Sequence, residues 1–225
     1  MFFKPFILKI IMTPKILILT GDFVDDYELM VPYSILTMFG CEVKIICPGK
    51  KKGEFIKTAI HYISIEDWEL ALKGKPVTYS ESLGHPYRLE DSFDWKNVEK
   101  EVGNYDGLII PGGRAPEYLS LLPEVQKLVS YFMETNKPIG AICHGPQVLS
   151  HSDATFKKIE YLKGKKMYPY PSVALSCSLQ GAIIEDQYPP NMTFTDGNLV
   201  TAPSWLALPE FMKQFLKLLN LTNLP

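Results

Sequence analysis

The strand-like segments of this chain are apolar nearly end to end, and this narrows most what it can fold into. Residues 15–20 (KILILT), 42–47 (EVKIIC), 105–110 (YDGLII) and 138–142 (PIGAI) are short runs of near-continuous hydrophobicity. A strand with one wet face alternates polar and apolar residues, whereas one apolar throughout is covered on both faces. Between these runs lie segments with apolar residues at helical spacing. Residues 27–39 place Leu29, Met30, Tyr33, Leu36 and Phe39 on one stripe, with Pro32 delaying or kinking the helix and Gly40 as its stop. Residues 123–135 and 208–219 read as helices as well. The stretch 50–97 is less regular, with strand candidates around 56–63 and 77–80. Residues 181–201 suggest two or three short strands with Asp196-Gly197 as a hairpin turn. Strands separated by helices predict an α/β fold with a mostly parallel sheet covered by helices on both faces.

Length and charge set the remaining bounds. The 225 residues suffice for one large domain, expected over 14–220, with residues 1–13 as an N-terminal extension. That extension is apolar but interrupted by Lys4, Pro5 and Lys9, and no small-residue cleavage site follows it. Hydrophobic residues at 46% and charged residues at 21% are ordinary for a soluble globular protein. No apolar run reaches the roughly 18 residues a membrane span needs. A formal net charge of −2 gives no electrostatic case for nucleic acid or an anionic membrane. Cysteines stand at 41, 47, 143 and 177, without a C-x-x-C pair or zinc-ligand spacing. Free thiols in a reducing, cytoplasmic setting are therefore expected, with no metal and no cofactor.

Sites in parallel sheets form where strands end at their carboxyl edges. The strand ending at Ile142 runs into Cys143-His144-Gly145-Pro146. Pro146 suits the first turn of a helix, and Gly145 permits a sharp turn, so Cys143 resembles the nucleophile of a strand–elbow–helix. A thiol at a helix N-terminus is expected to have a lowered pKa. Cys41, Cys47 and Cys177 read instead as core residues, Cys177 on a strand. The strand ending at Ile110 runs into Pro111-Gly112-Gly113, where backbone N–H groups can face an anion. Arg114 and Glu117 follow directly. After the first strand, Asp22, Asp25 and Asp26 can cap a helix, while Glu28 precedes Leu29, Met30 and Val31. A carboxyl in such apolar surroundings is expected to hold its proton toward neutral pH. Of the remaining histidines, His61 and His151 are expected to be surface or structural, and His85 to be structural or to line the pocket.

Together these segments resemble the PfpI family of the Parkinsonism-associated deglycase superfamily, which has an amidotransferase-like fold, a flavodoxin-like three-layer sandwich. The matching pieces are GDFVDDYELMVP (21–32), PGKK (48–51), DGLIIPGGRAPEY (106–118), PIGAICHGPQ (138–147) and DGNLVTAPSW (196–205). The resemblance implies Cys143 as nucleophile, His144 as its adjacent histidine and Glu28 as the buried glutamate beside the thiol. It further implies Glu117 as an acid completing a Cys-His-Glu set across a subunit interface, and hence a homodimer or larger assembly. Gly113 and the His144 backbone N–H match oxyanion-hole positions, with Gly112 and Arg114 beside them on the substrate side. Residues 78–85 (TYSESLGH) are similar to plant-like members that have metal-free glyoxalase activity and often carry two tandem copies. Residues 151–161 (HSDATFKKIEY) depart from the family pattern by being longer and more polar.

The activity this implies is a cofactor-independent conversion of methylglyoxal to lactate, deglycase action on early glycation adducts, or both. The partner is a small aldehyde. Alternatives are a cysteine peptidase using His144 and Glu117, or a non-enzymatic redox-sensing or holdase protein built on an oxidisable thiol. Glutamine amidotransferase chemistry needs a histidine well downstream of the cysteine, and none follows His151.

Overall fold

The computed structural model describes residues 13–78, 80–156 and 160–221. The expected extension lies outside them, apart from Thr13. A six-stranded sheet forms the centre, from β1 (Lys15–Leu19), β2 (Glu42–Ile46), β3 (Gly107–Ile110), β4 (Ile139–Ile142), β5 (Phe194–Asp196) and β6 (Leu199–Ala202). Its order is β5-β6-β4-β3-β1-β2, all neighbours parallel except the antiparallel hairpin β5–β6. The runs that are apolar end to end are the ones buried on both faces: every residue of β3 and β4 is buried, as is β1 from Ile16 on. The hairpin turns at Asp196-Gly197, where Gly197 takes the positive φ such turns require.

Five longer helices cover the sheet: α1 (Asp26–Met38), α2 (Pro123–Glu134), α3 (Pro146–Thr155), α4 (Pro171–Leu179) and α5 (Leu208–Leu218). α1 and α5 pack together on one face; α2, α3 and α4 pack in succession on the other. Phe211 and Phe215 of α5 lie so close to Gly107 and Gly140 that a Cβ at Gly140 would stand 2.8 Å from Phe211. Small residues on the middle strands thus let the helix approach the sheet. Pro32 does not delay α1, which starts at Asp26 and buries the proline within it.

Three local expectations are corrected. Cys177 lies on α4, not on a strand; its segment SVALSCSL lacks the turn residues that would bound a strand, and Pro171 starts a helix instead. The polar run after Leu149 continues α3 to Thr155, and buried Asp153 explains its polarity by accepting hydrogen bonds from Tyr161 N–H (2.8 Å) and Leu162 N–H (3.0 Å). Residues 65–72, read as irregular, form a helix capped by Ser64.

β1 leads to β2 on one side, and the chain then crosses to β3 on the other. The carboxyl ends of β1 and β3 therefore flank the point where strand order reverses, the favoured ligand crevice of open parallel sheets. A satellite three-stranded sheet closes over this crevice: Val24–Asp25, Thr58–Tyr62 and Ser80–Leu83. Among the described residues, no helix is long and apolar enough to cross a membrane.

Candidate active site

Three strand ends converge. Glu28 comes from the first turn of α1 after β1, Gly112 and Gly113 follow β3, and Cys143 with His144 follows β4. Cys143 sits at φ 59°, the left-handed region that costs a non-glycine residue energy. It is held there by its N–H donating to the Ala202 carbonyl (2.8 Å) and its carbonyl accepting from Tyr170 N–H (3.0 Å). The sharp turn expected of Gly145 is made by Cys143 instead. Gly145 is helical, at φ −49°, and serves by lacking a Cβ, which would come within 2.2 Å of the Ile110 carbonyl oxygen.

Glu28 is fully buried. Gly112 N–H donates to its Oε2 (2.8 Å), and its own N–H donates to Asp25 Oδ1 (3.1 Å), which caps α1. The Cys143 thiol and the Trp205 backbone N–H face the same carboxyl. Gly112 fills the gap between the thiol and the carboxyl: a Cβ there would lie 2.6 Å from Cys143 Cβ, 2.7 Å from Glu28 Oε2 and 2.8 Å from His144 N. Gly113, at φ +75°, is stitched to the loop after β1 through the Val24–Gly113 bridge.

Burial dominates the electrostatics. It raises the Glu28 carboxyl well above its ordinary value, and the Asp25 charge adds to the effect, while the Gly112 N–H works against it. Glu28 is thereby placed to hold a proton, in line with its apolar surroundings. Burial also pushes the Cys143 thiol up, with the charges of Glu28 and Asp25 contributing in the same direction. The Gly113 and His144 backbone N–H groups favour the thiolate but are outweighed. The helix-lowered thiol expected from sequence is therefore corrected: in the resting site desolvation exceeds the effect of the helix end, and a protonated Glu28 removes its part of that opposition.

His144 Nδ1 is 3.3 Å from Cys143 Sγ, its Nε2 is 3.0 Å from Ser172 Oγ, and its ring stacks on Tyr170 at 4.6 Å. Burial, partly offset by the Glu117 charge, lowers its pKa from 6.5 to about 4. A histidine that refuses its proton on folding stabilises fully above its unfolded value, and that stability is lost as pH falls from about 6.5 toward 4. By linkage this amounts to about 2–3 kcal/mol. Urea unfolding of the native protein and of His144→Gln at pH 7.5 and pH 4.5 measures it. The native protein is expected to lose more stability on acidification than the variant; equal losses would contradict the buried neutral ring.

Among the described residues Glu117 makes no hydrogen bond to the thiol or to His144, although its charge reaches the His144 ring. It is exposed, and its Oε1 accepts from Arg114 Nη1 at 3.0 Å, because the short helix Ala115–Leu119 points it outward. Arg114 lines the rim and also meets Glu81 at 3.4 Å. His85 is exposed and is not among the described residues that line the cavity; its backbone carbonyl accepts from Thr58 Oγ1. His61, expected at the surface or in a structural role, lies in the wall of the cavity with Cys143, its side chain 11% exposed. The signal was present in the strand 58–62: at period 2, His61 shares a face with Ala59, and the buried Ile63 follows on the same side. Trp205 and Tyr170, also in the wall, carry no sequence signal of their own. The cavity is narrow, about 30 Å³.

Residues 14–218 match the DJ-1/PfpI family. Protein DJ-1 homolog D of Arabidopsis thaliana is 42% identical over 207 residues, covering 92% of this chain. The chain spans about half the length of that relative, 48%. Deglycase PfpI of Pyrococcus furiosus is 29% identical over 206 residues, covering 92% of this chain and 99% of its own length. Among solved structures, Schizosaccharomyces pombe DJ-1 superposes with a TM-score of 0.66 at 22% identity, over 90% of each chain, a likeness of fold.

Proposed function

The chain belongs to the DJ-1/PfpI family, and from that premise we propose that it is a cysteine-dependent enzyme acting on small reactive carbonyl compounds, converting methylglyoxal to lactate without a cofactor. The observation that carries this reading is the pairing of Cys143 with a buried, proton-holding Glu28 in one narrow cavity. Relatives named deglycases, such as Deglycase PfpI of Pyrococcus furiosus, support carbonyl chemistry in general and leave deglycation of early adducts as a second use of the same thiol.

The thiol proton passes to His144 Nδ1, 3.3 Å from the sulfur, as sulfur adds to the aldehyde carbon, and Glu28 gives its own proton to the aldehyde oxygen, leaving a hemithioacetal and a carboxylate. The Gly113 and His144 N–H groups, which face the sulfur at rest, lie where negative charge on the former aldehyde oxygen would develop. Glu28 then takes the proton from that carbon and returns it to the neighbouring one through an enediol. This isomerises the adduct to a thioester of the hydroxyacid, which water hydrolyses to lactate, sulfur regaining its proton from His144, Glu28 taking the acid proton and the remaining proton leaving to solvent. A carboxyl raised by burial suits both halves of the transfer, since it is a stronger base than a solvated one and re-donates readily.

A peptidase reading is less well supported. It needs a carboxylate orienting His144, whose Nε2 instead meets Ser172 Oγ, and Glu117 is paired with Arg114. A second copy of the chain would have to supply the acid.

The purified protein is expected to produce lactate from methylglyoxal at the same rate with and without EDTA. Stopped-flow comparison of free methylglyoxal depletion with loss of a glycated thiol adduct ranks the two uses of the site. Absence of lactate under both conditions would sink the glyoxalase assignment.

A further inference from the structure

We propose that His61, held by Asp25, is a second acid–base group of this site, acting on the substrate's other carbonyl oxygen. The inference rests on the reading above and extends it. Isomerising a 2-oxoaldehyde adduct moves two kinds of proton: one between carbons, and one onto the ketone oxygen as the enediol forms. Glu28 is placed for the first. Nothing so far named serves the second. Both nitrogens of His144 are engaged, Nδ1 with the sulfur at 3.3 Å and Nε2 with Ser172 Oγ at 3.0 Å.

His61 has the placement the second transfer requires. The satellite sheet sets it by register: Asp25 pairs with Ala59, and His61 pairs directly across from Glu81. Its Nδ1 is 3.0 Å from Asp25 Oδ2, and its Nε2 is 3.4 Å from Glu81 Oε2. Asp25 is itself immobilised, 3% exposed, with its other oxygen accepting the Glu28 N–H. One buried carboxylate thus orients the base on one wall of the cavity and the acid–base ring on another. Carboxylate oxygens face both ring nitrogens, so the ring can donate from either. The Glu81 contact is long and the Glu81 side chain is 36% exposed, so a substrate oxygen reaches Nε2, itself shut off from solvent, by displacing that side chain.

The protons balance. As Glu28 removes the hydrogen on C1, the electron pair of that bond forms the C1=C2 double bond and the ketone π pair moves to O2. O2 takes a proton from His61 Nε2. When Glu28 returns its proton to C2, the double-bond electrons form the new C2–H bond. The C1 hydroxyl becomes the thioester carbonyl and gives its proton to His61. C1 is oxidised and C2 reduced by the same two electrons, and the ring ends as it began.

The test uses the full chain with methylglyoxal. His61→Gln keeps the volume and is expected to lower kcat by about 100-fold or more, with KM within about 3-fold. Alkylation of Cys143 by iodoacetamide should stay within about 2-fold of native, since the proposed role of the ring is on the substrate oxygen and not on the sulfur. In His61→Ala, added imidazole should restore part of kcat. A His61→Gln protein with native kcat overturns the inference, as does a loss of turnover matched by an equal loss of Cys143 alkylation, which would mark a structural role. An unsubstituted protein that makes no lactate overturns the function reading and this inference with it, so the two failures are distinguishable.

Discussion

Glu28→Gln is expected to reduce turnover of methylglyoxal by about three orders of magnitude while leaving Cys143 open to alkylation, and Cys143→Ala to abolish turnover. General acid–base groups contribute about 10²–10⁴ in rate, and Glu28 would serve both halves of a proton transfer. On the proposed mechanism Glu28 and Cys143 act as a unit, so the double variant is expected to be no slower than Cys143→Ala alone. Native-like turnover in Glu28→Gln would remove the proton-shuttle role. The same substitution has a stability signature. Burial raises the Glu28 carboxyl above its ordinary 4.5, so the folded chain binds more protons here than the unfolded one. Stability therefore falls as pH rises from about 4.5 through the folded-state value. Glutamine does not titrate, so the melting temperature of Glu28→Gln should gain on that of the native protein between pH 5 and pH 9. A gap that stays constant would mean that Glu28 is not held protonated.

Gly112→Ala is expected to damage both fold and chemistry. The added methyl would lie 2.6 Å from Cys143 Cβ, 2.7 Å from Glu28 Oε2 and 2.8 Å from His144 N, and one of those contacts is backbone. It cannot be relieved by a side-chain rotation alone. Overpacking of this kind costs about 3 kcal/mol, or about 6–12 °C in Tm for a chain of this size. Activity should fall by at least about 100-fold, since a displacement of about 1 Å costs that much in a positioned site. Gly40→Ala is the control. Gly40 has φ +79° with nothing within 4 Å of its missing Cβ, so alanine there meets only backbone strain, about 1–2 kcal/mol. Full activity is expected with a smaller fall in Tm. If Gly112→Ala kept native turnover, the close approach of Gly112 to the thiol and carboxyl would not matter to the chemistry.

The central strands were legible because burial on both faces leaves no polar position within them, a pattern that survives in the one-dimensional sequence. The elbow at residues 142–146 was legible because Pro146 marks a helix start directly after an apolar strand. The hairpin at Asp196-Gly197 followed from turn chemistry. These features depend on neighbours within a few residues. Cys177 was misplaced because a short apolar run does not by itself distinguish a buried helix from a strand.

What tertiary structure alone decided lies between segments far apart in the chain. His61 stands 36 positions from Asp25, and only the register of the satellite sheet makes them partners. The outward turn of Glu117, the stacking of Tyr170 on His144 and the contact of Ser172 with its ring come from packing that no local pattern encodes. The direction of the Cys143 pKa belongs here too. Sequence sees the helix start, which lowers a thiol; only the fold sets the depth of burial and the carboxyl groups beside it, and desolvation is the larger effect. The sheet and the elbow could be read from the sequence, because each is written in adjacent residues. The fold decided the distances, protonation and companions of the thiol and the carboxyl, because these depend on chain segments that meet only in three dimensions.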